Sequence, residues 1–326
     1  MRKGVVPGAK FQGFSAVCTN LKNYSIFIVL EKLMALDFAF LDSGTGGLPY
    51  MKALLELKSD VSCVYVGDTK NFPYGEKSES QIIQKASECV SRIIERWNPK
   101  TIVIACNTIS VTALDKLRER FPETPFVGTV PAIKPAALLS KTRKIGLLAT
   151  NATVNHSYTK RLISDFASDC TIISRGDPEL ISFIEHRAFS ASEEEKEEAV
   201  RPAVDFFADA GCDVIVLACT HFLNVAEVFK TVAEGRALIV DSRDGVSRHA
   251  LEVEKKVLNP EEEDPSGKTA GSEELLKTEP DATTLAGSNR EAHKPSLYVT
   301  GFTKAGDEEI YRTFCKNNGI EFGGVM

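Results

Sequence analysis

Two cysteines in this chain sit in nearly the same phrase. Residues 102–108 read IVIACNT and residues 214–221 read VIVLACTH. Cys106 and Cys219 thus each follow a short apolar run and precede polar residues that can cap a helix, Asn107 and Thr108 in one case and Thr220 in the other. A thiol at the carboxyl end of a parallel strand lies where open α/β sheets bind ligands. The partial positive charge of a following helix lowers a thiol pKa from about 8.5. Two such thiols on opposite sides of a carbon acid suit stereoinversion: a thiolate removes a proton from one face and a thiol returns one to the other. A lone cysteine of this kind is more often a small buried hydrophobe, and Cys63, Cys89, Cys170 and Cys212 read that way.

The chemistry is demanding. A gap of about ten pKa units between an amino-acid Cα–H and a thiol corresponds to ~14 kcal/mol, so the site must stabilise a carbanion with donors and exclude water. LDSGTGG at 41–47 is a strand end running into a Gly-rich turn whose backbone N–H groups can approach an anion. It is not a phosphate-binding P-loop, since no Lys-Ser/Thr follows the glycines. Ionised Asp42 would repel a carboxylate, so contact with a substrate ammonium or a part in proton movement fits it better. His221, two residues after Cys219, can tune the neighbouring thiol. No metal site is expected, because Cys219 and His221 lack a second clustered ligand pair.

These residues need a scaffold that presents strand ends. Apolar runs at 36–41, 62–67, 101–106, 125–130, 144–149, 170–174, 213–218, 236–241 and 296–300 read as strands, and TIVIA, KIGLLA and DVIVLA are apolar at successive positions, as in sheets covered on both faces. Between two of them, Ile82, Ile83, Ala86, Val90, Ile93, Ile94 and Trp97 recur at helical spacing. The alternation predicts an α/β fold of two similar doubly wound domains with mainly parallel sheets, facing one another across an active-site cleft. A first domain is expected over 34–130 plus 241–326 and a second over 131–240. Residues 1–33 read as an N-terminal extension or a start-site misassignment, with Met34 the candidate natural start. Residues 259–295, rich in Glu, Pro, Gly, Ser and Thr, read as a disordered insertion.

Composition narrows the function class. The 326 residues are 43% hydrophobic and 26% charged with a formal net charge of −6, and no Lys/Arg stripe with interleaved aromatics marks a nucleic-acid surface. The longest apolar run near the N-terminus is too short for a membrane span or a secretory signal, and eight cysteines without a CxxC pair read as cytosolic thiols. A cytoplasmic protein with a small-molecule partner is expected, with no membrane or nucleic-acid partner.

DSGTGGL, GDTKNFPYG, IACNTIS, VGTVPAIKPA, IGLLATNATVNHSY and LACTHF follow one another in an order that resembles the glutamate racemase family, within the wider aspartate/glutamate racemase group. The likeness runs from about residue 36 to 258 and resumes at about 296. It implies cofactor-independent interconversion of L- and D-glutamate that supplies peptidoglycan synthesis. Cys106 would act on the D-enantiomer and Cys219 on the L-enantiomer, assisted by Asp42 and His221 respectively. It further implies substrate contacts at Asp42, Ser43, Tyr74, Gly75, Asn107, Thr108, Thr150, Thr153 and Thr220, and leaves room for a homodimer. Glu185, in PELISFIEH, could match a further family acid, although a helix-surface glutamate is the commoner explanation. Ala218, Phe222 and Leu223 depart from the family's usual Gly, Tyr and Pro and put the second cysteine turn's backbone geometry in question.

Three other readings compete. An aspartate or related amino-acid racemase would keep both cysteines and change the pocket. A redox protein would cycle a Cys106–Cys219 disulfide, and a non-catalytic amino-acid binding protein would leave the paired thiols without purpose.

Overall fold

Apolar residues at successive positions can be buried only if both faces of their sheet are covered, and the strands FAFLD, CVYVG, TIVI and VIVL are buried along their whole length. The computed structural model describes residues 36–258 and 294–326. The extension at 1–33, Met34, and the insertion as far as residue 293 lie outside the described residues. Within Leu36–Met326, one compact unit, the strands are β1 (Phe38–Asp42), β2 (Cys63–Gly67), β3 (Thr101–Ile104), β4 (Phe126–Gly128), β5 (Lys144–Ala149), β6 (Thr171–Gly176), β7 (Val214–Leu217), β8 (Leu238–Val240), β9 (Ser296–Val299) and β10 (Glu321–Val325). Helices α1 (Leu48–Leu57), α2 (Glu79–Trp97), α3 (Asn107–Arg120), α4 (Ile133–Leu139), α5 (Asn151–Asn155), α6 (Ser157–Phe166), α7 (Pro178–His186), α8 (Glu193–Asp209), α9 (Ala226–Val232), α10 (Arg243–Leu258) and α11 (Asp307–Asn318) fill the connections.

The strands form two sheets, ordered β10-β9-β2-β1-β3-β4 and β6-β5-β7-β8, and every pairing is parallel. This is the α/β class expected from the runs. In the first sheet the chain leaves β1 toward β2 and returns on its other side as β3; in the second it leaves β5 toward β6 and returns as β7. Each sheet therefore has a switch point where the connections diverge and a crevice opens beyond the strand ends. Asp42 and Cys106 emerge at the first of these crevices, Thr150 and Cys219 at the second.

Helix α2 shows how local sequence fixes an element. Ser78 and Gln81 form a reciprocal capping box at its start, Asn98 closes it in the left-handed conformation, and Ile82, Ala86, Cys89, Val90 and Ile93 form its buried stripe. One apolar core joins the two sheets, with Phe38 and Phe40 of β1 in the same cluster as Leu148 of β5, Leu217 of β7 and Phe222. A second cluster lies under α2 and α3, and a third packs Ile133 and Ala136 of α4 on Ile145, Leu147 and Val216. Cys63, Cys89 and Cys212 are buried, as small apolar residues would be, whereas Cys170 is only partly buried, and all the described cysteines are free thiols.

Strand β10 has no counterpart among the strands expected from apolar runs. Its EFGGV carries two glycines, sits at the sheet edge, pairs with β9 through an irregular register and alternates exposed with half-buried positions, so no apolar run announces it.

Asp213, just before β7, fastens the loop between α4 and β5 by accepting from Ser140 Oγ (2.6 Å), Lys141 N (2.6 Å) and Thr142 N (2.8 Å). Burial pushes its carboxyl up, but these donors bring it down from 3.8 to about 2. Asp213→Asn is expected to cost about 1–2 kcal/mol in urea unfolding at pH 7. Because the folded-state value is the depressed one, the gap between the two proteins should hold above pH 4 and close as pH falls from 3.8 toward about 2. A gap unchanged down to pH 2 would mean the carboxylate is not what fastens the loop.

Candidate active site

The turn after β1 holds the most crowded backbone of the site, and its glycines explain the LDSGTGG pattern. A Cβ on Gly44 would stand 2.8 Å from the Glu185 carboxylate, and one on Gly46 would stand 2.6 Å from His221 N and 2.7 Å from its Nδ1. Only glycine lets helix α7 and the turn after β7 approach this closely. Asp42, fully buried, accepts from Gly47 N (2.8 Å) and Tyr65 OH (3.1 Å) through Oδ2, and from Ser43 Oγ (3.4 Å) and, weakly, Thr220 Oγ1 through Oδ1. Burial raises its carboxyl, opposed by His221 and the backbone donors and reinforced by Glu185.

Cys106 is the N-cap residue of α3 and lies 3.8 Å from Ser43 Oγ. Burial pushes its thiol well up, Asp42 adds to this, and the N–H of Ile109 in the first helical turn pulls it back. Cys219 departs from the sequence expectation. It heads a 3-10 segment, Thr220–Val225, rather than an α-helix, and α9 begins only at Ala226. Phe222 and Leu223 are buried in this segment, with Phe222 edge-on to Phe229 at 6.1 Å, which anchors the turn in the core and keeps it tightly wound. With little helix dipole to rely on, Cys219 instead has a charged neighbour: His221 Nδ1 lies 3.8 Å from its Sγ.

His221 is 2% exposed and donates from Nε2 to Glu185 Oε2 at 2.9 Å. Glu185, 3% exposed, also accepts from Thr45 N (2.9 Å) and Thr45 Oγ1 (2.7 Å). Burial opposes charge on both partners, yet the contacts with Cys219 and Glu185 hold His221 well above its usual value, and His221 and Thr45 hold Glu185 below its own. Both directions favour an imidazolium on a carboxylate, with Nδ1 facing the Cys219 sulfur. Glu185 is therefore not a surface residue. Ile181, Ile184 and Glu185 stand at i, i+3 and i+4, and with both isoleucines buried Glu185 shares the inward face of α7.

A cavity of about 380 Å³ brings both cysteines together, a volume suited to a small ligand. Ser43, Tyr74, Gly75, Asn107, Thr108, Thr150, Thr220 and His221 line it as well. Asp42 stands behind Ser43 and Thr220, and Thr153 behind Thr108 and Thr150, without lining it. The Thr108 hydroxyl meets that of Thr150 at 3.1 Å, so residues after β3 and β5 join in one hydroxyl cluster. Asn107, 3% exposed, has neither a donor partner for its Oδ1 nor an acceptor for its Nδ2. A buried carboxamide on a cavity wall costs free energy unless a ligand completes it. Phe72, Pro73, Ile181, Ser182, His186 and Thr303 also line the cavity and were not singled out from sequence. Phe72 covers His221, with ring centroids 5.3 Å apart. Among the described residues no group of three or more His, Cys, Asp or Glu could hold a metal ion.

The profile of the Asp/Glu/Hydantoin racemase family matches residues 47–244. Glutamate racemase of Treponema pallidum is 43% identical over 215 residues, covering 66% of this chain and 80% of that protein. Glutamate racemase of Glaesserella parasuis is 36% identical over 242 residues, 73% of this chain and 90% of that protein. Among solved structures, Escherichia coli glutamate racemase in complex with L-glutamate and the activator UDP-MurNAc-Ala superposes with a TM-score of 0.69 at 30% identity, over 89% of this chain and 97% of that one.

Proposed function

This chain belongs to the Asp/Glu/Hydantoin racemase family, and from that premise we propose that it is an enzyme racemising glutamate by two-base proton transfer at Cα between Cys106 and Cys219. The observation that carries the reading is one cavity lined by two thiols, one from the end of a strand in each sheet. Cys219, as a thiolate facing His221, takes the Cα proton of L-glutamate and becomes a thiol, and the thiol of Cys106 delivers a proton to the opposite face, giving the D-enantiomer and leaving Cys106 as the thiolate. The reverse reaction exchanges the roles. In that reverse direction Cys219 gives up its proton, and the sulfur anion that develops there is met by the His221–Glu185 pair at once, so no solvent has to reorganise around it.

Hydroxyl and amide groups then orient the substrate. Ser43, Asn107, Thr108, Thr150 and Thr220, with the backbone at Tyr74 and Gly75, bind its two carboxylates and its ammonium, while Asp42 and Thr153 hold those groups from behind. Neutral donors orient the two carboxylates without gripping the ground state as tightly as a cluster of cations would. No cofactor is needed in this scheme.

The same reading covers the division into domains over 34–130 with 241–326 and over 131–240, a cytoplasmic setting, a homodimer, and a product consumed in peptidoglycan synthesis. No helix among the described residues is long and apolar enough to cross a membrane.

The test is to incubate D- and L-glutamate separately with purified protein in D2O, following optical rotation and deuterium at Cα. Both enantiomers should racemise and the product should carry deuterium. No exchange from either, in folded and reduced protein, would sink the reading; turnover of aspartate alone would move the substrate assignment.

A further inference from the structure

A fully buried carboxylate outside the acid–base machinery ties together two walls of the cavity. Asp68, 0% exposed, follows β2 and accepts from Tyr74 OH at 2.5 Å, from Asn71 Nδ2 at 3.0 Å and from Thr300 Oγ1 at 2.6 Å. Strands β2 and β9 pair in parallel with Gly67 opposite Val299, so Asp68 and Thr300 step off the sheet edge side by side. Two further bonds join the same segments: Thr69 Oγ1 donates to Gly301 O (2.6 Å) and Lys70 N to Thr300 Oγ1 (3.2 Å).

The segment beyond each of these two residues lines the cavity. Phe72, Pro73, Tyr74 and Gly75 come from the stretch after Asp68, and Thr303 from the stretch after Thr300. The first of these stretches has only two three-residue 3-10 turns, Thr69–Asn71 and Tyr74–Glu76, between β2 and α2. Short turns of this kind do not fix their own position, and a carboxylate gathering charge-assisted bonds from several side chains does.

We propose that Asp68 is a positioning residue for substrate binding: it locks the Tyr74–Gly75 turn to the segment after β9, so that two walls from distant parts of the chain act as one surface. The inference rests on the reading of the site as glutamate-binding. Asp68 and Thr300 do not line the cavity, so their influence on substrate passes through Tyr74, Gly75 and Thr303.

The experiment is steady-state kinetics from each enantiomer of glutamate for the wild type, Asp68→Asn, Thr300→Val and the double variant. Asp68→Asn should raise KM about tenfold for both enantiomers while kcat changes less than about threefold. Thr300→Val, which removes the donor to Asp68 and the acceptor of Lys70 N, should raise KM in the same direction, and the double variant should be no worse than the worse single variant, because both act through one lock. Fluorescence of the single tryptophan, Trp97, whose ring lies 4.8 Å from that of Tyr298 in β9, reports whether each variant keeps the fold.

If Asp68→Asn does not fold, Thr300→Val decides alone. A folded variant whose KM stays within about twofold of wild type, or whose loss lies in kcat alone, would overturn the positioning role. Effects that simply multiply in the double variant would overturn the shared lock. An inactive wild type would overturn the glutamate reading and this inference with it.

Discussion

Replacing Cys106 or Cys219 by Ser is expected to lower kcat by about 10²–10⁴-fold in both directions of racemisation. The loss is the same for either residue because the donor in one direction is the base in the other, and inversion needs a proton on each face. Serine keeps the shape of the side chain and can still accept from the Ile109 N–H at position 106, and the side-chain polar contacts of the sulfurs are loose, with Ser43 Oγ for Cys106 and His221 Nδ1 for Cys219, both at 3.8 Å. Thermal unfolding should therefore change little. A hydroxyl, however, is a far weaker acid than a thiol and cannot become the base. The two thiols act as a unit, so the double variant should be no slower than the slower single one. Initial rates from pure D- and pure L-glutamate, with melting curves alongside, check this; either variant retaining a rate within tenfold of wild type would remove its cysteine from the proton path.

The second large effect is expected at Glu185. Glu185→Gln leaves the buried His221 without its counter-charge, and breaking a buried pair by removing one partner costs about 3–5 kcal/mol. Activity should fall with stability, by about 10²-fold, because a neutral His221 no longer offers a cation to the Cys219 sulfur. The pH dependence has a definite sign. The Glu185 value is depressed in the folded protein, so its contribution is present above 4.5 and is lost as pH falls through the folded value. The His221 value is raised, so its contribution is complete below 6.5 and is lost only as pH rises through its higher folded value. The stability gap between wild type and Glu185→Gln should therefore be widest from about pH 4.5 to 6.5 and persist above it until His221 loses its proton. Urea unfolding across pH 3–9 measures it; a gap that is flat throughout would show that charge pairing is not what Glu185 contributes.

Much of this site is local in the chain. Cys106, Asn107 and Thr108 are neighbours after β3, Cys219, Thr220 and His221 are neighbours after β7, and Asp42 ends β1 with Ser43 to Gly47 directly after it. Uninterrupted apolar runs demand a sheet buried on both faces, and parallel strands place all their following turns at one edge. Composition and order alone thus placed both thiols at strand ends and set the α/β class. Strand β10 escaped because its glycines and edge position leave no apolar run to detect.

What the chain could not announce is who meets whom across it. Glu185 reaches Thr45 over 140 positions and His221 over 36, and Thr220 reaches Asp42 over 178. A glutamate on an amphipathic helix looks the same in sequence whether its end of the apolar face meets solvent or a buried imidazole. Asp68 likewise reads as an ordinary turn residue until β9 comes back beside β2 and brings Thr300 to it across 232 positions. Strand, helix and turn types follow from side-chain periodicity within a few residues. The charge state of His221, the tight 3-10 winding after Cys219 and the joining of the cavity walls depend on desolvation and on partners that exist only once both sheets have packed.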